Sequence, residues 1–128
     1  MGELEKMMNG CKELGGKFFR SGFGTDVCSF NISGGRISLE VRSKKLIVEK
    51  EIESKSVYGV ERSRIEIDKD KIVNIEPKRK DNELTIVIET KNNNDIVIHR
   101  EFIPTSYAYG SHYSGFIVAR SKDMEVWI

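Results

Sequence analysis

Twelve consecutive residues, 104–115, hold the side chains best suited to recognition. Three of the four tyrosines (Tyr107, Tyr109, Tyr113) and one of the two histidines (His112) fall there without a single charge, although 32% of the 128-residue chain is charged. Tyrosine supplies rigid amphipathic contact area at small entropy cost, and serine and glycine adapt around it. On this reading Tyr107, Tyr109 and Tyr113 give stacking and apolar contact, and His112 gives a hydrogen bond that responds to pH. An uncharged stretch of this length reads either as a functional loop or as a hairpin turning at Gly110 and Ser111, with the tyrosines along a strand face.

Cationic side chains gather at two turns. Arg42, Lys44 and Lys45 form one group and Lys78, Arg79 and Lys80 another, the candidate contacts for an anion or a nucleic acid. A single-strand-binding surface interleaves such charges with stacking aromatics, so both turns would have to lie beside the tyrosines. Acids at Glu51, Glu53, Asp68, Asp70, Asp81, Glu83 and Asp95 answer the basic groups, and the net charge is only +1. That balance removes the long-range pull expected of a protein that coats DNA.

Metal and catalytic signatures are sparse. With two His, two Cys and no Cys-x-x-Cys spacing, no ligand set converges in the sequence, and neither a metal nor a cofactor is expected. A nucleophile–base pair needs Ser or Cys near His with an orienting acid. His112 has Ser111 and Ser114 beside it in sequence only, and His99 and Glu101 are expected on opposite faces of a strand. An enzyme using His112 or His99 therefore stands as an alternative to a binding protein, and no catalytic residue is assigned. Cys11 and Cys28 fall on apolar stripes and read as small buried hydrophobes. A disulfide between them requires the helix to lie over the Cys28 strand, and reducing cytosol would oppose it.

The glycine-rich run 15–24 does not make a phosphate loop. Such a loop leads into a helix N-terminus, whereas these glycines follow a helix and lack the Lys-Ser/Thr order. Residues Asn31, Ser33 and Arg36 occupy a spacing that resembles the Asx-x-Ser-x-x-Gly element of cyclic-dinucleotide-binding PilZ barrels. Arg36 stands where that element has Gly, and only Arg20 represents the upstream paired arginines. A hairpin turn accounts for the same six residues.

The elements that must position these groups are mostly strands. Ile and Val number 25 against two Ala, and β-branched side chains favour a pleated surface. One helix is expected over about 2–15. Leu4, Met7, Met8, Cys11 and Leu14 recur at helical spacing, Phe18 extends the stripe, and Gly15 and Gly16 supply a stop. The Met-rich stripe is expected to lie on a sheet.

Hairpins follow over about 26–128. A turn at Gly34 and Gly35 would pair Ile32 with Ile37, Phe30 with Leu39 and Cys28 with Val41, all on one face. A three-residue loop at 91–93 pairs Ile88 with Ile96, Val87 with Val97, Ile86 with Ile98 and Thr85 with His99. A turn at Lys122 and Asp123 pairs Arg120 with Glu125, Ala119 with Val126 and Val118 with Trp127. A fourth hairpin is expected across 68–71, and strands over 46–52 and 57–62 carry bulges at Lys50 and Gly59.

These signals predict a single mainly β (α+β) domain over 1–128. An N-terminal amphipathic helix is packed on a meandering antiparallel sheet or small barrel of eight or more strands. No apolar run is long enough to span a bilayer. The first twenty residues carry Glu3, Glu5 and Glu13 and no apolar signal core, so a cytoplasmic setting is expected. The expected function is a non-enzymatic binding module for a protein or small ligand. A single-stranded nucleic-acid-binding barrel is the alternative from another class, and a homodimer through the edge strand 124–128 would hide that edge.

Overall fold

The computed structural model describes residues 2–53, 59–104 and 112–128. Within each of two sheets every strand pairs antiparallel with its neighbour in sequence. The first sheet is β1 (Lys17–Arg20), β2 (Asp26–Ile32), β3 (Gly35–Val41), β4 (Lys45–Glu53) and β5 (Val60–Asp68), in that order. The second is β6 (Ile72–Lys80), β7 (Glu83–Thr90), β8 (Asp95–Ile103), β9 (His112–Arg120) and β10 (Glu125–Trp127), likewise in order. The two meanders do not close into the barrel that was one expectation.

Alternation along the strands builds one core between the sheets. Cys28, Phe30, Ile37, Leu39, Leu46 and Val48 from the first sheet share a buried cluster with Ile86, Ile88, Ile98 and Ile117 from the second. Each such aliphatic side chain contributes roughly 1.5–3 kcal/mol by leaving water. Gly115 permits the close approach, since a Cβ there would lie 2.7 Å from Ile32 Cγ2 and 3.0 Å from Ile37 Cδ1.

The helix α1 (Glu3–Asn9) is shorter than the stripe predicts. It ends at Gly10, and separate turns carry the chain to Gly15, whose φ is +92°. Leu4, Met7, Met8, Cys11 and Leu14 still face the core, and α1 touches both β2 and β6. Phe18 does not join them; it lies 44% exposed on β1, beyond the end of the helix. Cys11 and Cys28 are both fully buried and form a disulfide with Cα atoms 5.9 Å apart, which corrects their reading as unpaired hydrophobes. Gly16 lies against that bond; a Cβ would come within 2.8 Å of Cys11 Sγ and 2.9 Å of Cys28 Sγ.

Two registers match expectation pair for pair, β7 with β8 and β9 with β10. Asn93 supplies the left-handed residue of the first turn at φ 58°, and Arg120 meets Glu125 at 3.2 Å across the second. The β2–β3 hairpin turns one residue earlier, at Ser33 and Gly34, so Phe30 faces Ile37 and Cys28 faces Leu39. This moves each partner by two positions and keeps the same face inward. Gly35 belongs in the strand because β4 crowds it: a Cβ would sit 1.8 Å from the Glu51 carbonyl oxygen.

The expected fourth hairpin does not form. The 3-10 turn Lys69–Lys71 instead carries the chain from the edge of one sheet to the edge of the other. β6 also contains Pro77, which an edge strand tolerates. Lys50 sits in unbroken register with Ile37 and Ser63, Gly59 lies outside the paired strand, and the irregularity falls at 72–74. Among the described residues no helix is long and apolar enough to cross a membrane.

Candidate functional site

Strand β8 carries the two groups of interest on its two faces. Ile96 and Ile98 point into the core, so Arg100 and Phe102 continue the inward row to the end of the sandwich, while His99 and Glu101 point outward. His99 and Glu101 are two residues apart and share a face, with Nε2 and Oε2 3.8 Å apart. This overturns their expected placement on opposite faces.

The inward row ends in a cleft of about 350 Å³ lined by Leu14, Gly15, Arg79, Leu84, Arg100, Phe102 and Tyr113, with Asp81, Asn82 and Glu83 at the β6–β7 turn. The guanidinium carbon of Arg100 lies 3.6 Å above the Tyr113 ring, and the Phe102 ring meets Tyr113 edge-on at 5.3 Å. Stacking of this kind is favourable by about 0.5–1 kcal/mol when exposed and more when desolvated. Arg100 Nε donates to the Asn31 carbonyl at 2.8 Å, which ties β8 to the opposite sheet. Arg79 reaches into the same cleft and donates to the Glu13 carbonyl at 2.5 Å.

Among the described residues neither arginine has a carboxylate within 4 Å. Burial pushes the Arg100 pKa below its ordinary value; contact with Tyr113 opposes that shift, and the positive charge of Arg79 adds to it. The cleft thus holds two cations beside an aromatic face, with the Asp81 and Glu83 carboxylates also on its lining but more than 4 Å from either guanidinium, an arrangement open to an anion placed directly between the arginines.

The remaining predicted residues divide. Tyr107 and Tyr109 lie outside the described residues. His112 opens β9, is exposed, and its Nδ1 lies 2.5 Å from Ser33 Oγ on the β2–β3 turn. The Ser33 amide donates to the Tyr113 carbonyl beside it at 2.7 Å. This Ser–His contact lacks a described carboxylate to orient the ring, so it is not a triad.

The two basic turns do not come together. The Lys69 amide bonds the Lys44 carbonyl, which places Lys44 at the Ile72 end of β6. Lys80 is at the other end of that nine-residue strand, roughly 27 Å away. Arg42 pairs with Glu40 at 3.1 Å and Lys45 with Glu66 at 3.5 Å, whereas Lys78 pairs with Glu76 at 3.7 Å. Only Arg79 of the six enters the cleft.

The chain matches no protein-family model, no curated protein and no solved structure. Its chemistry must be argued from these residues.

Sequence reasoning included Arg79 and Tyr113 but missed Arg100, because the contact depends on β8–β9 register across an uncharged connection. It also missed the outward cluster of Glu83, His99 and Glu101, whose ligand atoms lie within 4.8 Å of one another. The signal was present: extending the expected Thr85–His99 pairing by two residues sets Glu83 opposite Glu101.

Proposed function

We propose that the protein is a non-enzymatic binding module whose contact surface is the end of the sandwich around Tyr113. It recognises a protein or small-ligand partner that presents an anionic group joined to an apolar body. The observation that carries this reading is the Arg100 guanidinium stacked at 3.6 Å on Tyr113, beside Arg79 and without a carboxylate partner among the described residues. The anion meets Arg79 and Arg100, and its apolar part meets Tyr113, Phe102 and Leu84. Tyr107, Tyr109 and His112 extend the same surface on this reading, through the connection from β8 to β9.

Benzoate is a minimal probe of that chemistry. In an NMR titration of the ¹⁵N-labelled protein, the side-chain Nε–H signals of Arg79 and Arg100 and the Tyr113 amide should move together. Tyr113→Ala and Arg100→Gln should each weaken the response at least tenfold, and Tyr109→Ala should weaken capture of a larger partner with little change in melting temperature. Shifts scattered over the surface, with those three signals in place, would remove the proposal.

The single-stranded nucleic-acid reading now draws on Lys78, Arg79 and Lys80 alone, since Arg42, Lys44 and Lys45 are at the far end. An oligothymidylate probe separates the two, because phosphate contacts make affinity fall steeply with salt. We assign homodimerisation to β10, an edge on which Met124, Val126 and Trp127 are exposed and no proline blunts pairing. A monomer by sedimentation velocity would remove that assignment. The disulfide favours a non-reducing setting over the cytoplasm that the sequence suggested.

A further inference from the structure

We propose that Glu83, His99 and Glu101 form a binding site for a first-row divalent metal ion of the Zn²⁺ type on the outer face of the second sheet. One imidazole nitrogen and two carboxylate oxygens lie within 4.8 Å of one another. Around an ion bound at about 2.1 Å, tetrahedral donors sit roughly 3.4 Å apart, so the side chains need to close by at most about 1.4 Å. Glu83 is exposed and Glu101 only half-buried, which leaves both free to make that movement.

The histidine is held in place. Its ring stacks on Phe116 at 4.9 Å, and Nδ1 lies 3.1 Å from the Thr85 hydroxyl. With Nδ1 carrying the proton and donating to Thr85, Nε2 presents its lone pair toward Glu101. An outer-shell partner on the second ring nitrogen is the usual support of a metal-bound histidine.

A second feature is independent of that geometry. Glu83 and Glu101 are directly opposed across β7 and β8, and like charges so placed destabilise a sheet. Lys80 stands opposite Glu83 on β6, yet among the described residues no lysine or arginine nitrogen lies within 4 Å of either carboxylate. A bound cation would turn this repulsion into attraction. An imidazole donor favours zinc-like ions over Mg²⁺ or Ca²⁺, and the outward position leaves remaining coordination places to water.

The test is calorimetric titration of the tag-free chain with ZnCl₂. The proposal expects one equivalent bound, no competition from millimolar Mg²⁺, and at least tenfold weaker binding in Glu83→Gln and in Glu101→Gln. His112→Ala should bind as the unaltered chain does. Both glutamine variants change surface groups and keep side-chain size, so they report on the ion without disturbing the His99–Phe116 contact. Absence of a one-equivalent transition, loss of binding in His112→Ala, or undiminished binding in the Glu83→Gln/Glu101→Gln double variant would each overturn the site.

Discussion

Four consecutive residues of β8 serve two opposite electrostatic purposes. His99 and Glu101 face outward beside Glu83, where two carboxylates gather around an imidazole; Arg100 and Phe102 face inward, where two guanidinium groups stand beside Tyr113 in a cleft that Asp81 and Glu83 also line. The alternation of a strand sorts them, and no change of backbone is involved. What differs is the cover. The inward pair is walled by Leu14, Gly15 and the first sheet, so Arg100 is partly stripped of water and its pKa is lowered by burial. The outward trio lies on an open sheet face, flanked on the β9 side by the Phe116 ring, with the Trp127 ring 4.7 Å beyond it. A strand end thus sets a guanidinium–aromatic face and a carboxylate–imidazole face one residue apart, with Glu83 at the border of both.

The largest separation between the two faces should follow loss of the disulfide. Cys11 precedes the Leu14 and Gly15 wall of the cleft and ties it to β2. The bond spans 17 residues, and closing a loop of that size stabilises by about 3 kcal/mol. A Cys11→Ala/Cys28→Ala double variant should lose about that much in urea unfolding. Benzoate should bind it more weakly, while zinc should bind as before. An equal loss at both sites would mean that they share one support.

A steric contrast comes next. Gly115→Ala places a methyl against Ile32 and Ile37 between the sheets, at 2.7 and 3.0 Å, and should cost roughly 1–3 kcal/mol. Ser114, opposite Glu101 on the outward face, has no such neighbour across a core, and Ser114→Ala should change stability by less than about 0.5 kcal/mol. Similar costs by thermal unfolding would contradict the assignment of inner and outer faces.

These contrasts also mark what could be read from the chain. The β7–β8 and β9–β10 registers follow from local turn chemistry, through Asn93 in a left-handed turn and Lys122 with Asp123 between alternating strands. Extending the first of them shows Glu83 opposite Glu101. The β2–β3 register was two positions out because Gly35 is fixed by the Glu51 backbone of β4, a contact no local pattern announces. The passage from β5 to β6 looks like a hairpin in sequence, since a short polar turn between isoleucine-rich strands has the same composition whether it joins neighbours or changes sheets. The helix was overextended because Cys11 and Leu14 keep helical spacing while serving the disulfide and the cleft wall. Arg100 on Tyr113 needed both the sheet-to-sheet contact and the β8–β9 register, so it was out of reach.

A smaller effect should appear at the outward site when Thr85 becomes Val. The variant keeps the shape of the side chain but removes the hydroxyl that lies 3.1 Å from His99 Nδ1. Loss of an outer-shell hydrogen bond typically lowers metal affinity by about 10–100-fold. The stability cost should be near 1 kcal/mol. Zinc titration should show the weakening while the benzoate response is unchanged. Unaltered zinc affinity would show that the Phe116 stack alone positions the ring.

The smallest effect tests whether the Glu83–Glu101 pair differs from a carboxylate whose partners are complete within the chain. Glu40, on the outer face of the first sheet, accepts from the Thr25 hydroxyl at 2.5 Å and from Arg42 Nε at 3.1 Å. The Thr25 hydrogen bond is the main cause that holds its pKa below the ordinary value; desolvation opposes it and Arg42 assists. A carboxylate with a lowered folded pKa stabilises the protein above its unfolded pKa, and that contribution disappears as pH falls through the folded value. Thr25→Val should therefore cost up to about 1 kcal/mol near neutral pH, with the difference shrinking through the carboxylate range. Part of the cost will not depend on pH, because Thr25 also meets the Ser21 hydroxyl at 2.6 Å. Repeating the comparison in Glu40→Gln isolates the carboxylate, and there the Thr25→Val difference should be flat with pH. Glu83→Gln removes a carboxylate opposed to Glu101 and should slightly raise stability near neutral pH by easing that repulsion. A stability loss in Glu83→Gln at neutral pH as large as that in Glu40→Gln would make Glu83 a structural carboxylate and erase the distinction between the two sheets' outer faces.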